Sequence, residues 1–199
     1  MDILELIKKR KTIRKYKNKA ISKKILAKIF DAGIWGPSVP SFLRIQPWKF
    51  IVIEHKKEKG EISDSLLKKS KTIGAGANIL LHQAADVISG AAAIVVIYNS
   101  GELDLYSKKF RMIFEKFSKI IKEAEAAAIS AAIQNMILVS ESLGIGSCWL
   151  DTPLFCEKEI NKILKIDKKL VAILTLGYAD ELGRRSPRKP ISESVKIIK

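Results

Sequence analysis

Arg10, Thr12 and Arg14 stand at alternate positions in the run Arg10-Lys11-Thr12-Ile13-Arg14-Lys15-Tyr16. Successive side chains of an extended segment point to opposite faces, so these three share one side while Lys11 and Ile13 take the other. Two guanidiniums and a hydroxyl on one face suit a phosphate monoester, through bidentate, charge-assisted hydrogen bonds. A second basic cluster, Arg184-Arg185-Ser186-Pro187-Arg188-Lys189-Pro190, is a rigid, proline-bounded stretch that can be neither helix nor central strand. The two clusters could converge on one anion. Each also reads as a solvated basic turn or tail, and spacing alone does not choose.

No side-chain grouping for catalysis accompanies them. Gly74-Ala75-Gly76 is too short for a dinucleotide fingerprint, and there is no Walker loop, nucleophile elbow or His-led triad. Cys148, Cys156, His55 and His82 lie at no metal-ligand spacing, so no metal site is expected. Cys148, within an expected strand, reads as a small buried hydrophobe, and Trp35, Trp48 and Trp149 as core or cleft walls. A chain with a full core but no acid, base or nucleophile constellation is either a binding module or an enzyme whose cofactor carries the chemistry.

The elements that must position these residues follow from periodicity. Ile3, Leu4 and Ile7 open a short amphipathic helix that runs out in Lys8–Lys11. Ser22 is placed to cap a helix carrying Ile25, Leu26, Ile29 and Phe30, which ends near Gly33–Gly36 before Pro37. Strands are expected at Phe50–Ile53, Ala91–Tyr98, Ser147–Leu150 and Leu170–Tyr178. Helices are expected at 56–69, at Asn78–Ser89 after a break at Gly74–Ala77, from about Ser107 to Leu143 as one long helix or two in succession, and at Glu157–Leu164. Ala126–Ala128, Ala131 and Ala132 make the long helix one that others can approach closely, either as an ordinary core helix or as a dimer interface. The whole reads as one α+β domain, 1–199, with a central sheet flanked by helices.

The 199 residues, 47 % hydrophobic and 29 % charged, are ample for one packed core. A net charge of +15 admits nucleic acid, an anionic membrane surface or a phosphorylated small molecule as partner. Nucleic-acid binding would call for aromatics interleaved with the basic residues; Tyr16 is the only one within 10–17 and none lies in 184–190, so no nucleic acid is expected. The apolar runs are strand-length, which argues against a membrane span. The acidic opening Met1–Glu5 lacks a signal peptide's apolar run, so a cytoplasmic setting is expected.

Five segments, in order, resemble the nitroreductase family. Arg10–Arg14 is similar to its Arg-Arg-Ser-x-Arg opening. Trp35-Gly36-Pro37-Ser38 and Gln46-Pro47-Trp48-Lys49-Phe50 resemble its Ala-Pro-Ser and Asn-x-Gln-Pro-Trp-x-Phe segments. Ala131–Met136 with Leu143–Leu150 resembles its central helix and following strand, and Leu174–Tyr178 with Pro187–Pro190 its closing strand and tail. The resemblance implies a sandwich around a mainly antiparallel sheet, a homodimer whose C-terminal tails are exchanged, and an FMN in each of two interface clefts. It implies that Arg10, Lys11, Thr12 and Arg14 hold the FMN phosphate and ribityl chain, with Arg188 closing over the phosphate. Pro37, Ser38 and Gln46 would reach the flavin from the partner, and Leu150 and Asp151 would lie along its other face. Asn78 is the candidate match for a ring-contacting Asn of the family, and the resemblance leaves its role open.

Two departures stand out. Arg44 occupies the position of the family's Asn, and Val39–Leu43 lengthens the loop before it. Gly101–Phe117 is the candidate lid. The activity implied is transfer of hydride from NADH or NADPH to FMN and then of electrons to a nitroaromatic, quinone or similar acceptor. The rivals are a non-catalytic flavin carrier and a specialised dehalogenating or flavin-fragmenting member.

Overall fold

A computed structural model describes residues 2–38, 44–103, 105, 118–183 and 185–198. The chain opens with α1 (Ile3–Lys9) and α2 (Lys23–Ile34). It continues through β1 (Trp48–Ile53), α3 (Lys56–Ser70), α4 (Ala75–Gly90) and β2 (Ala93–Asn99). The long helix α5 (Ser118–Ser142) leads to β3 (Gly146–Leu150), a 3₁₀ turn (Thr152–Cys156), α6 (Glu157–Leu164), β4 (Leu170–Gly177) and one last helical turn, Ile191–Ser194. The expected helix over Ser107–Leu143 is thus seen from Ser118; its first part lies outside the described residues.

The four strands form one antiparallel sheet in the order β1-β2-β4-β3. Helices cover both faces, so β2 is apolar on both alternating sets. Val95 and Ile97 join Leu26 and Ile29 of α2 and Ile129, Ile133 and Met136 of α5 in one core. Ile94, Val96 and Tyr98 join Ile62 and Leu66 of α3, Leu81 and Ala85 of α4 and Ile160 of α6 in the other. Burial on both sides is the physical reason β2 shows no polar alternation.

Local signals hold at most boundaries. Ser22 Oγ accepts from Ile25 N at 3.3 Å, the N-cap bond that satisfies a free amide of the first turn of α2. One break is shorter than the glycines imply. Helix α4 begins at Ala75 with Gly74 as its N-cap, so Gly76 and Ala77 lie inside the first turn. Trp48 is buried and stacks on Phe50, with centroids 6.4 Å apart, and Trp149 is half-buried. Trp35, expected in a core or cleft wall, is instead 79 % exposed at the C-cap of α2.

Candidate functional site

Residues 10–17 run extended along the sheet edge. Thr12 bridges Ser147 of β3, and Tyr16 bridges Ala179 just beyond β4. Ile13 N donates to Ser147 O at 2.9 Å and Lys17 N to Tyr178 O at 2.8 Å. Two glycines permit this close seating. A Cβ on Gly146 would lie 2.9 Å from Ile13 Cβ, and one on Gly177 would lie 2.6 Å from Tyr16 Cδ1. Tyr16 then locks the segment from below: its hydroxyl donates to Ile13 O at 2.6 Å and lies 2.7 Å from Thr175 Oγ1 on β4.

The extended backbone alternates as its sequence demands. Arg10 and Thr12 line a cavity of about 560 Å³ with Lys8, Gln134, Arg185, Ser186 and Arg188. Arg10 Nη1 reaches toward Thr12 Oγ1 at 3.4 Å, and Arg185 Nη2 donates to Lys9 O at 3.5 Å. Four cations and three neutral polar side chains line this cavity, and no carboxylate is among its described lining. That donor set fits a dianionic phosphate with a hydroxylated chain attached, since every polar group can donate and nothing repels the anion.

Lys11 turns the other way. Its ammonium donates to Leu182 O at 2.9 Å, and it lines a neighbouring groove with Ile13, Glu141 and Glu181. Arg14 lines neither space; its amide is held by Glu181 Oε1 at 2.5 Å and its side chain is exposed. The structure therefore brings Arg10, Thr12 and Arg188 together and leaves Lys11 and Arg14 outside that cavity. Burial pushes the Cys148 thiol up, against the pull of the Arg14 and Arg10 charges, consistent with a structural thiol and not a nucleophile.

Leu150 ends β3, three residues past Ser147, so it lies about 10 Å along the strand from Thr12's bridge. Asp151 follows, its carboxylate fixed by Trp149 Nε1 at 2.6 Å. Pro37 and Gln46 are exposed and Ser38 is half-buried; none of them lines the cationic cavity of its own chain. Val39–Leu43 lies outside the described residues, as does most of the candidate lid Gly101–Phe117. The lid's root is pinned: Asn99 Oδ1 accepts from Gly101 N at 2.8 Å while its amide donates to the buried Glu125 at 2.9 Å. Asn78 sits half-buried in the first turn of α4.

Lys8, Gln134 and Ser186 are lining residues that spacing did not single out. Gln134 carried only a weak signal, as the residue that with Asn135 interrupts the small and apolar run Ala126–Leu138. Lys8 sits in the last turn of α1, and only the packing of that helix brings it to the cavity.

Residues 7–178 match the nitroreductase family. A provisionally assigned NADH dehydrogenase/NAD(P)H nitroreductase of Methanothermobacter thermautotrophicus is 25 % identical over 91 % of this chain and 79 % of its own. A BluB-like flavoprotein from Clostridium difficile 630 superposes with a TM-score of 0.78 at 26 % identity, covering 100 % of both chains. A provisionally assigned nitroreductase from Desulfovibrio desulfuricans, solved in complex with FMN, superposes at 0.72 with 24 % identity, covering 100 % of this chain and 98 % of that one. Among the described residues no helix is long and apolar enough to cross a membrane. With its match running from the end of α1 through β4 and its phosphate-suited cavity formed between them and the tail, this chain belongs to the nitroreductase family.

Proposed function

We propose that the protein is a cytoplasmic, homodimeric FMN oxidoreductase folded as one domain over residues 1–199. It takes hydride from NADH or NADPH and, after the nicotinamide leaves, reduces a small acceptor such as a nitroaromatic or quinone. The observation that carries this reading is the cavity, with no carboxylate among its described lining, where Arg10, Thr12, Arg185 and Arg188 meet beside β3.

FMN supplies the redox chemistry when bound. The residues of the chain orient it and shape its field. Arg10, Thr12 and Arg188 grip the phosphate, Lys11 and Arg14 keep the surrounding field positive, and Leu150 and Asp151 offer backbone N–H groups farther along the strand. Such preorganised donors stabilise an anionic reduced ring. Pro37, Ser38 and Gln46 complete the cleft from the second subunit, which accounts for their distance from the cavity of their own chain.

The test is the visible spectrum of the purified protein, before and after anaerobic NADH or NADPH. A yellow protein that bleaches with a nicotinamide and recovers with a quinone supports the proposal. A colourless protein that refuses added FMN overturns it. Loss of one charged hydrogen bond is worth about 1.5–3 kcal/mol, so Arg10→Ala weakens FMN by about 10–100-fold in the same titration.

A further inference from the structure

The positive charge of this chain is not spread evenly. Residues 8–19 contain eight Lys and Arg and no carboxylate, and residues 178–189 contain four against Asp180 and Glu181, a surplus of ten of the fifteen net charges. The fold lays these two segments side by side. Lys17 N donates to Tyr178 O, Asp180 N to Lys15 O at 2.9 Å, and Arg185 Nη2 to Lys9 O. Lys8, Lys9, Arg14, Lys15, Lys17, Lys19, Arg185, Arg188 and Lys189 are all exposed along this ridge. Lys8, Arg185 and Arg188 also line the phosphate-suited cavity, so the ridge forms its outer rim.

We propose that this ridge is the docking surface for an acidic electron-carrier protein, which delivers electrons to the cofactor seated behind it. A dianionic phosphate neutralises only part of the surplus, and a predominantly basic rim of this kind steers an oppositely charged protein to the redox centre. Nucleic acid is the poorer fit. The ridge's two aromatics are not free for stacking: Tyr16 is half-buried with its hydroxyl bonded, and Tyr178 lies under the Lys19 ammonium, 4.3 Å from the ring centroid. Two reduced carriers would each lose one electron, and with one proton from solvent these would complete the two-electron reduction of bound FMN to its anionic form. That electron step rests on the flavin reading above; the docking does not.

The experiment titrates the full chain, flavin-free and flavin-loaded, with an acidic two-iron ferredoxin by calorimetry at low and at roughly 0.3 M salt. Binding at low salt that weakens about 10-fold or more at high salt, and again in K15E/K17E/K19E, is the expected result. FMN affinity stays unchanged in that variant, which reports that it has folded. The exposed single change K17E carries the test if the triple variant does not fold. No binding at low salt, or charge-reversed protein that binds as tightly as wild type, overturns the proposal. Equal or tighter binding of duplex DNA or phosphatidylserine vesicles through the same lysines also overturns it and reassigns the ridge. Ferredoxin binding without any uptake of FMN leaves the docking intact while sinking the flavin reading.

Discussion

Tyr16 and Tyr98 are both withdrawn from water, with opposite consequences. The Tyr16 hydroxyl has two partners, whereas the Tyr98 hydroxyl, in the α3–α4–α6 core, has none among the described residues. Tyr16→Phe therefore lowers stability by about 1–2 kcal/mol, while Tyr98→Phe leaves it unchanged or raises it, read by denaturant unfolding at pH 7. Burial, aided by the Glu157 charge, pushes the Tyr98 phenol up to about 12, and burial raises that of Tyr16 as well. Both pKa values are raised on folding, so their stabilisation is complete below the unfolded value of about 10. It is lost as pH climbs from there through the folded values. Unfolding free energy falls above pH 10, and Tyr98→Phe removes part of that fall; an unaltered alkaline profile would refute the assignment.

Arg44 offers a second case at this scale. Its φ of 55° lies in the left-handed region, where an ordinary side chain is strained and Asn much less so. The position is the one at which the resembling family carries Asn, so the backbone there gives a conformational reason for that residue. Arg44→Asn is expected to stabilise the protein by about 0.5–1 kcal/mol, seen as a Tm higher by roughly 1–4 °C.

At the scale of elements, the seating of the extended segment 10–17 on β3 and β4 decides whether the cationic cavity exists. Gly177 is the contact that a side chain would break, since its Cβ would meet the Tyr16 ring. Gly177→Ala is expected to cost about 1–3 kcal/mol and to weaken FMN binding together with stability. Gly60 lies within α3 with open space where its Cβ would be, and Gly60→Ala is expected to stabilise by about 0.5–1 kcal/mol with no effect on FMN. Thermal melts and flavin titration on the pair separate a local seating requirement from a general intolerance of change. In α5 the exposed stripe runs through Ala126, Ala127 and Gln134, while Ile129, Ile133 and Met136 face the core. The helix is thus buried on one side within the chain, and its small outer residues leave room for close approach on the other.

For the whole molecule, apolar side chains left on the surface set the expectation. Trp35, Leu182, Ile191, Ile197 and Ile198 are each more than three-quarters exposed, and the last three lie in or beyond the final helical turn. So much exposed apolar surface at the chain's end and past α2 fits a tail that lies on a second subunit. Sedimentation equilibrium at micromolar concentration is expected to return twice 22.2 kDa. A chain ending at Lys189 shifts toward the monomer and binds FMN more weakly. A full-length protein that sediments as a monomer would remove the shared cleft and the roles given to Pro37, Ser38 and Gln46.

Much of this was legible from local rules. The apolar run of β2, the cap at Ser22 and the alternation of Arg10 and Thr12 against Lys11 and Ile13 each follow from neighbours within a few residues. The sandwich of helices on an antiparallel sheet followed from the order of such elements and from the family resemblance. Other features were decided only by tertiary contacts. Arg14 stands outside the cavity that Arg10 and Thr12 line, its amide held by Glu181, 167 positions on. Gln134 and Lys8 reach the cavity because α5 and α1 pack beside the extended segment, which no local period encodes. The sequence by itself determined which elements form and which faces they bury, since period and capping are short-range; the pairing of residues 10–17 with 178–181, and with it the cavity and its basic rim, was decided by the tertiary structure, because contacts across more than 160 residues depend on the packing of everything between them.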